Sequence, residues 1–115
     1  GGNSRGAVYA MFRGSSGSTT IASHFKVSDT AGGFTGTLND EDFFGADVEL
    51  QDMNGDGVVD LIVGAYGNDD GGGNNRGAVY VLFRGSSGAV TIASHFKVSD
   101  TAGGFTGTLN DEDFF

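Results

Sequence analysis

The amino-acid sequence predicts an all-β fold of short antiparallel strands, on three observations. Apolar residues recur with period two, and no stretch carries a 3.6-residue period. The apolar runs are separated by segments rich in Gly, Asn and Asp that read as turns. Finally, residues 5–44 (RGAVYAMFRGSSGSTTIASHFKVSDTAGGFTGTLNDEDFF) return at 76–115, offset by 71 residues. Only four of these 40 positions differ: Ala10/Val81, Met11/Leu82, Ser18/Ala89 and Thr19/Val90.

Four strands fill one period. Residues 46–51 place Ala46, Val48 and Leu50 on one face and Asp47, Glu49 and Gln51 on the other. Residues 58–63 are apolar except for Asp60, and residues 78–83 are apolar on both faces, as suits a strand buried between layers. Residues 92–98 alternate again. Ile92, Phe96 and Val98 are expected inward, whereas Ala93, His95 and Lys97 are expected on the solvated face of an edge strand. The intervening turns are 52–57, 67–75 and 84–88, and 100–113 forms a long connection.

Four short strands per repeat describe one β-propeller blade. The expected organisation is a partial repeat at 1–44, holding strands 3 and 4 of one blade, and a full blade at 45–115. That is about one and a half blades, or six strands. The chain stops at Phe115, where the first copy runs on into Gly45, so a fragment boundary is expected there. It opens on Gly-Gly and not on Met, so the natural start and any secretion signal are expected to lie outside it.

Composition narrows the function classes. The 115 residues carry a net charge of −9, which opposes binding to nucleic acid or anionic lipid and favours cations or basic partners. Cysteine is absent, which excludes disulfides and thiolate metal sites. No apolar run approaches the ~20 residues of a helical membrane span, so membrane insertion is not expected. The 22 glycines come without proline or a three-residue period, which excludes collagen, and an aromatic share of 11 % argues against disorder.

The strongest chemical signal is Asp52-Met53-Asn54-Gly55-Asp56-Gly57-Val58-Val59-Asp60. Side-chain oxygens stand at loop positions 1, 3, 5 and 9. Gly57 permits the sharp turn, and the Val58 carbonyl is placed to add a ligand at position 7. Asp52, Asn54, Asp56, Val58 and Asp60 together supply about six oxygens, which suits Ca²⁺ better than Mg²⁺. An EF-hand is excluded, because Val63 stands where that loop needs Glu and the flanks are strands. The plain alternative is an Asx-rich turn that binds nothing.

With these residues in view, the chain resembles the FG-GAP repeats of integrin-α-type β-propellers. The FG pair is Phe44-Gly45, the DxNxDGxxD stretch is 52–60, and the GAP triplet appears as Gly64-Ala65-Tyr66, with Tyr in place of the usual Pro. Gly77-Ala78-Val79-Tyr80-Val81 follows downstream. The resemblance implies a Ca²⁺ ion in the loop between strands 1 and 2. It places ligand or partner binding on the opposite rim, at 67–75 and 100–113. It also implies an extracellular or cell-surface, adhesion-type role without catalysis, or glycan binding as in lectin-like relatives.

The remaining polar residues read as scaffold. His24 and His95 are expected on solvated edge strands, and no acid or nucleophile is tied to them by a motif. The runs 40–42 and 111–113 read as solvated acidic loops, the Arg5, Arg13 and Lys26 set and its copies as loop and edge charges, and Phe34 and Phe105 as packing between blades. A blade apolar on both faces needs neighbours to cover it, so self-association or docking on parent propeller blades is expected.

Overall fold

The computed structural model describes residues 3–86 and 88–115, so the Gly-Gly start and Ser87 of the 84–88 turn lie outside the described residues. The structure is all-β, with six strands in chain order: β1 Val8–Arg13, β2 Ile21–Val27, β3 Asp47–Gln51, β4 Asp60–Ala65, β5 Ala78–Phe83 and β6 Ser94–Ser99. They form an antiparallel two-stranded sheet, β1-β2, and an antiparallel four-stranded sheet, β3-β4-β5-β6. Antiparallel sheets of two and four strands are consistent with propeller blades. The strand starting at 58 in the sequence reading begins at Asp60, and the one starting at 92 begins at Ser94, because Val58, Val59, Ile92 and Ala93 belong to the preceding loops.

One core joins the two sheets. Val8, Phe25 and Val27, with Ala10 and Phe12 against them, pack on Leu61, Val63, Ala65, Ala78, Tyr80 and Leu82. Phe34, from the connection between the sheets, closes the core, with ring centroids 5.3 Å from Phe44, 5.4 Å from Tyr80 and 4.8 Å from His95. The expected packing role of Phe34 is therefore observed, and burial of such aromatics dominates the stabilisation of a small β domain.

In the first copy Phe25 and Val27 take the facing expected for 92–98, although Ile21 is exposed; in the second, Ile92 is buried as expected, but within β6 the facing is reversed. Phe25 and Val27 are buried in β2 while His24 and Lys26 are exposed. In β6, Phe96 is 42 % exposed, and His95 and Lys97 stand opposite Leu82 and Tyr80 on the covered face. The reason is stacking. A blade face that looks polar in isolation still contacts a neighbour, and the four-stranded sheet is covered only on its His95/Lys97 side. Similarly, Val48 and Leu50 share a face as expected, yet they are exposed, because among the described residues the two-stranded β1-β2 sheet does not extend over them.

The repeat is visible in its contacts. Phe43 and Phe44 donate from their main-chain N–H groups to Ser4 and Arg5, and Phe114 and Phe115 donate in the same way to Asn75 and Arg76. Each long connection thus returns to the segment ahead of its own third strand. Gly45 adopts φ +94°, and a Cβ there would meet the Ala7 carbonyl oxygen at 2.8 Å, so the FG pair needs glycine for both conformation and space. Tyr66, standing where Pro is usual, stacks on Phe43 at 4.9 Å and packs edge-on against Phe114 at 5.8 Å.

Candidate metal centre

The hairpin joining β3 to β4 carries the acidic loop. β3 ends at Gln51 and β4 begins at Asp60, so the strands fix both ends of the 52–60 segment, with Gln51 paired to Asp60. Between them the chain curls around its own side chains. Asp52 Oδ1 accepts from the N–H of Gly55 at 2.8 Å and of Asp56 at 3.2 Å, and its Oδ2 accepts from Gly57 at 2.8 Å. Asn54 Oδ1 accepts from Asp56 N–H at 3.3 Å, and Asp56 Oδ1 accepts from Val58 N–H at 2.9 Å. These are Asx-type turns, which short polar side chains form readily. Gly55 and Gly57 take φ +77° and +83°, and a Cβ at either would meet nothing within 4 Å, so conformation alone calls for glycine there.

The curl brings Asp52, Asp56 and Asp60 together, with one carboxylate oxygen from each lying within 4.8 Å of the others. Asp60 is fully buried, whereas Asp56 is exposed. Hydrogen bonds from the Gly57, Gly55, Asp56 and Asn54 main chain hold the Asp52 carboxyl below its ordinary value, with the Gly57 bond the largest cause and partial desolvation opposing it. Three like charges at this separation repel, and a cation among them removes that cost. The donor set is oxygen only, which fits a hard divalent cation such as Ca²⁺. Of the five sequence-predicted ligands, the structure gathers these three. Asn54 and Val58 lie within the same turn, engaged through the Asn54 amide oxygen and the Val58 N–H.

Two supports, one at this loop and one at the 67–75 loop, were not singled out in the sequence. Arg84 donates from its N–H to Asp60 Oδ1 at 3.3 Å and from Nε to the Val59 carbonyl at 2.9 Å. The loop is thereby tied to the end of β5. The only sequence trace of this is the recurrence of Arg at 13 and 84 directly after equivalent strands. The second support is Asp42, expected in a solvated acidic run but only 1 % exposed. Its Oδ2 accepts from Asn39 N–H at 2.8 Å and from Asn68 Nδ2 at 3.1 Å, linking the connection to the 67–75 loop. That loop is itself ordered by hydrogen bonds. Asp69 Oδ1 accepts from Asn75 N–H at 2.7 Å, and Asp70 takes Ser99 Oγ at 2.7 Å and Lys97 Nζ at 2.6 Å.

An antiparallel four-stranded sheet opening on an Asp-rich hairpin loop defines the class: a blade-type β repeat. Residues 44–82 match the family model of the FG-GAP repeat, and this stretch of the chain is an FG-GAP repeat. No curated protein and no solved structure matches the chain. Among the described residues, no helix is long and apolar enough to cross a membrane.

Proposed function

We propose that the chain is a calcium-binding β-propeller module with a structural and protein-interaction role of the adhesion type, and that it is not catalytic. The observation that carries this reading is the Asp52, Asp56 and Asp60 cluster, with carboxylate oxygens within 4.8 Å of one another on a strand-fixed turn. Asp52, Asn54, Asp56, Asp60 and the Val58 carbonyl would hold the ion. Bound there, Ca²⁺ neutralises the clustered carboxylates and pins the hairpin that opens the four-stranded sheet. The FG-GAP match favours an extracellular or cell-surface setting, and the uncovered sheet faces favour association with further blades, in a parent propeller or between copies.

The test is thermal melting with Ca²⁺ and with chelator. An ion that binds only the folded state raises stability by about 2.7 kcal/mol at a hundredfold excess over Kd. The midpoint should rise with Ca²⁺ in the wild type and stay fixed in Asp56→Ala. No rise in the wild type, or an equal rise in the variant, overturns the reading.

A further inference from the structure

We infer that Asn54 is a self-modification site: in the folded chain its side-chain amide closes onto the main-chain nitrogen of Gly55, releases ammonia and is opened by water to aspartate and isoaspartate. The step balances within the loop. A bond forms between Gly55 N and Asn54 Cγ, and the Cγ–Nδ2 bond breaks. The proton of the Gly55 N–H leaves with Nδ2 as ammonia, and a cyclic imide remains. Solvent water then opens the ring. Attack at Cγ leaves aspartate, and attack at the Asn54 main-chain carbonyl carbon leaves isoaspartate, with the chain running through the former side chain.

Three observations place this chemistry at Asn54. Among the chain's asparagines it alone precedes glycine, the residue with no Cβ to crowd the attacking nitrogen. Gly55 is exposed, and a Cβ built there would meet nothing within 4 Å, so no neighbour shields the nitrogen either. Second, Asn54 Oδ1 accepts from Asp56 N–H at 3.3 Å, and the ring closed by this bond contains both reacting atoms, Asn54 Cγ and Gly55 N. Third, the Gly55 N–H donates to Asp52 Oδ1 at 2.8 Å, which sets an acceptor beside the proton that must leave.

Asn68 shows the opposite arrangement. It is 1 % exposed, its Nδ2 donates to Asp42 Oδ2 at 3.1 Å and its Oδ1 accepts from Asp70 N–H at 3.2 Å, so both ends of its amide are held away from water. The product at Asn54 rewrites the loop. Either form adds a negative charge beside Asp52, Asp56 and Asp60, and isoaspartate also lengthens the main chain between Asp52 and Asp56, where the oxygen spacing is set.

The experiment incubates the full chain in chelator at physiological temperature and pH. Peptide mapping by mass spectrometry reads every asparagine over time, and enzymatic methylation of isoaspartate reads the product. The amide-to-acid mass change separates this conversion from isomerisation at Asp56, which also precedes glycine. Asn54 should convert about tenfold faster than any other asparagine of the folded chain. Gly55→Ala should slow it about tenfold, whereas Gly88→Ala, also at a position open to a Cβ, should leave it unchanged. A free peptide of residues 50–60 should convert no faster than the folded chain. No conversion at Asn54, conversion spread evenly over the asparagines, indifference to Gly55→Ala, or a peptide far faster than the folded chain each overturns the inference. Replacing chelator with Ca²⁺ should slow conversion, because the ion engages Asp52 and Asn54. That arm alone rests on the calcium reading, and a rate unchanged by Ca²⁺ counts against the ion while conversion in chelator still supports the site.

Discussion

Asp60 and Arg84 are joined across the mouth of the hairpin: the Arg84 main-chain N–H donates to Asp60 Oδ1 at 3.3 Å, while Met53 N–H donates to Oδ2 at 3.0 Å. The carboxylate is fully buried and serves two donors from two different segments. Its structural role is therefore separate from any ion. Asp60→Ala leaves both donors without their acceptor, and an unsatisfied buried polar group costs about 1–3 kcal/mol. The expected loss is about 2–3 kcal/mol in urea unfolding, and it should persist in chelator. Asp60→Asn retains one acceptor and should lose less. An Asp60→Ala variant as stable as the wild type in chelator would show that these hydrogen bonds contribute nothing.

Asp42 makes the pH behaviour readable. Burial raises its carboxyl above the ordinary value, against the lowering effects of the Asn39 and Asn68 hydrogen bonds and the Lys97 charge. A raised folded-state value means that the folded protein favours the neutral acid. The contribution of this group to stability is full below the unfolded value of about 3.9 and is lost as pH rises through the folded value. Asp42→Asn keeps an acceptor oxygen and does not titrate. From about pH 7 down to about pH 3, the wild type should therefore gain stability relative to the variant. Urea midpoints of the pair across that range measure it, and a difference that is flat or of opposite slope contradicts the assignment.

Arg76 joins two carboxylates at once. Its Nη1 donates to Asp100 at 2.8 Å and its Nε to Asp111 at 3.1 Å, and Arg5 repeats the arrangement with Asp29 at 3.0 Å and Asp40 at 2.7 Å. These acids lie toward the two ends of each long connection, so one guanidinium draws the connection together. A lysine offers a compact charge without the planar fork and cannot reproduce this geometry. Arg76→Lys and Arg5→Lys should each lower the melting midpoint modestly. The gap should narrow at about 1 M salt, where the screening length falls to about 3 Å. A midpoint unchanged at low salt in both variants would remove these bridges from the list of stabilising contacts.

Much of this was legible in the sequence because it depends on local pattern. Period-two alternation located the six strands, and the oxygen spacing in 52–60 located the cluster of Asp52, Asp56 and Asp60. Arg84 under Asp60 and Asp42 beneath the 67–75 loop were not legible, because each link spans more than twenty residues and no local period records it. The facing of β6 was misread for a related reason. Alternation says which residues share a face, but which face meets a neighbour depends on how sheets stack, and His95 owes its partial burial to Phe34 and Tyr80 from elsewhere in the chain.

That stacking makes the last prediction a comparison within one molecule. Phe25 and Phe96 occupy equivalent positions in identical strand sequences, IASHFKV. Phe25 is 7 % exposed in the core between the sheets, near Phe12 at 6.2 Å, whereas Phe96 is 42 % exposed on the uncovered face beside Phe83 at 5.8 Å. Truncating a buried Phe removes its transfer energy and leaves a cavity, at about 3–5 kcal/mol. Truncation at a partly solvated site avoids most of the cavity cost, which gives about 1 kcal/mol. Phe25→Ala should therefore shift the urea midpoint several times as far as Phe96→Ala. Because sequence and local strand geometry are matched, the difference isolates the contact between sheets. Equal losses at dilute concentration would mean that both faces are covered alike, and the order of stacking described above would have to be abandoned.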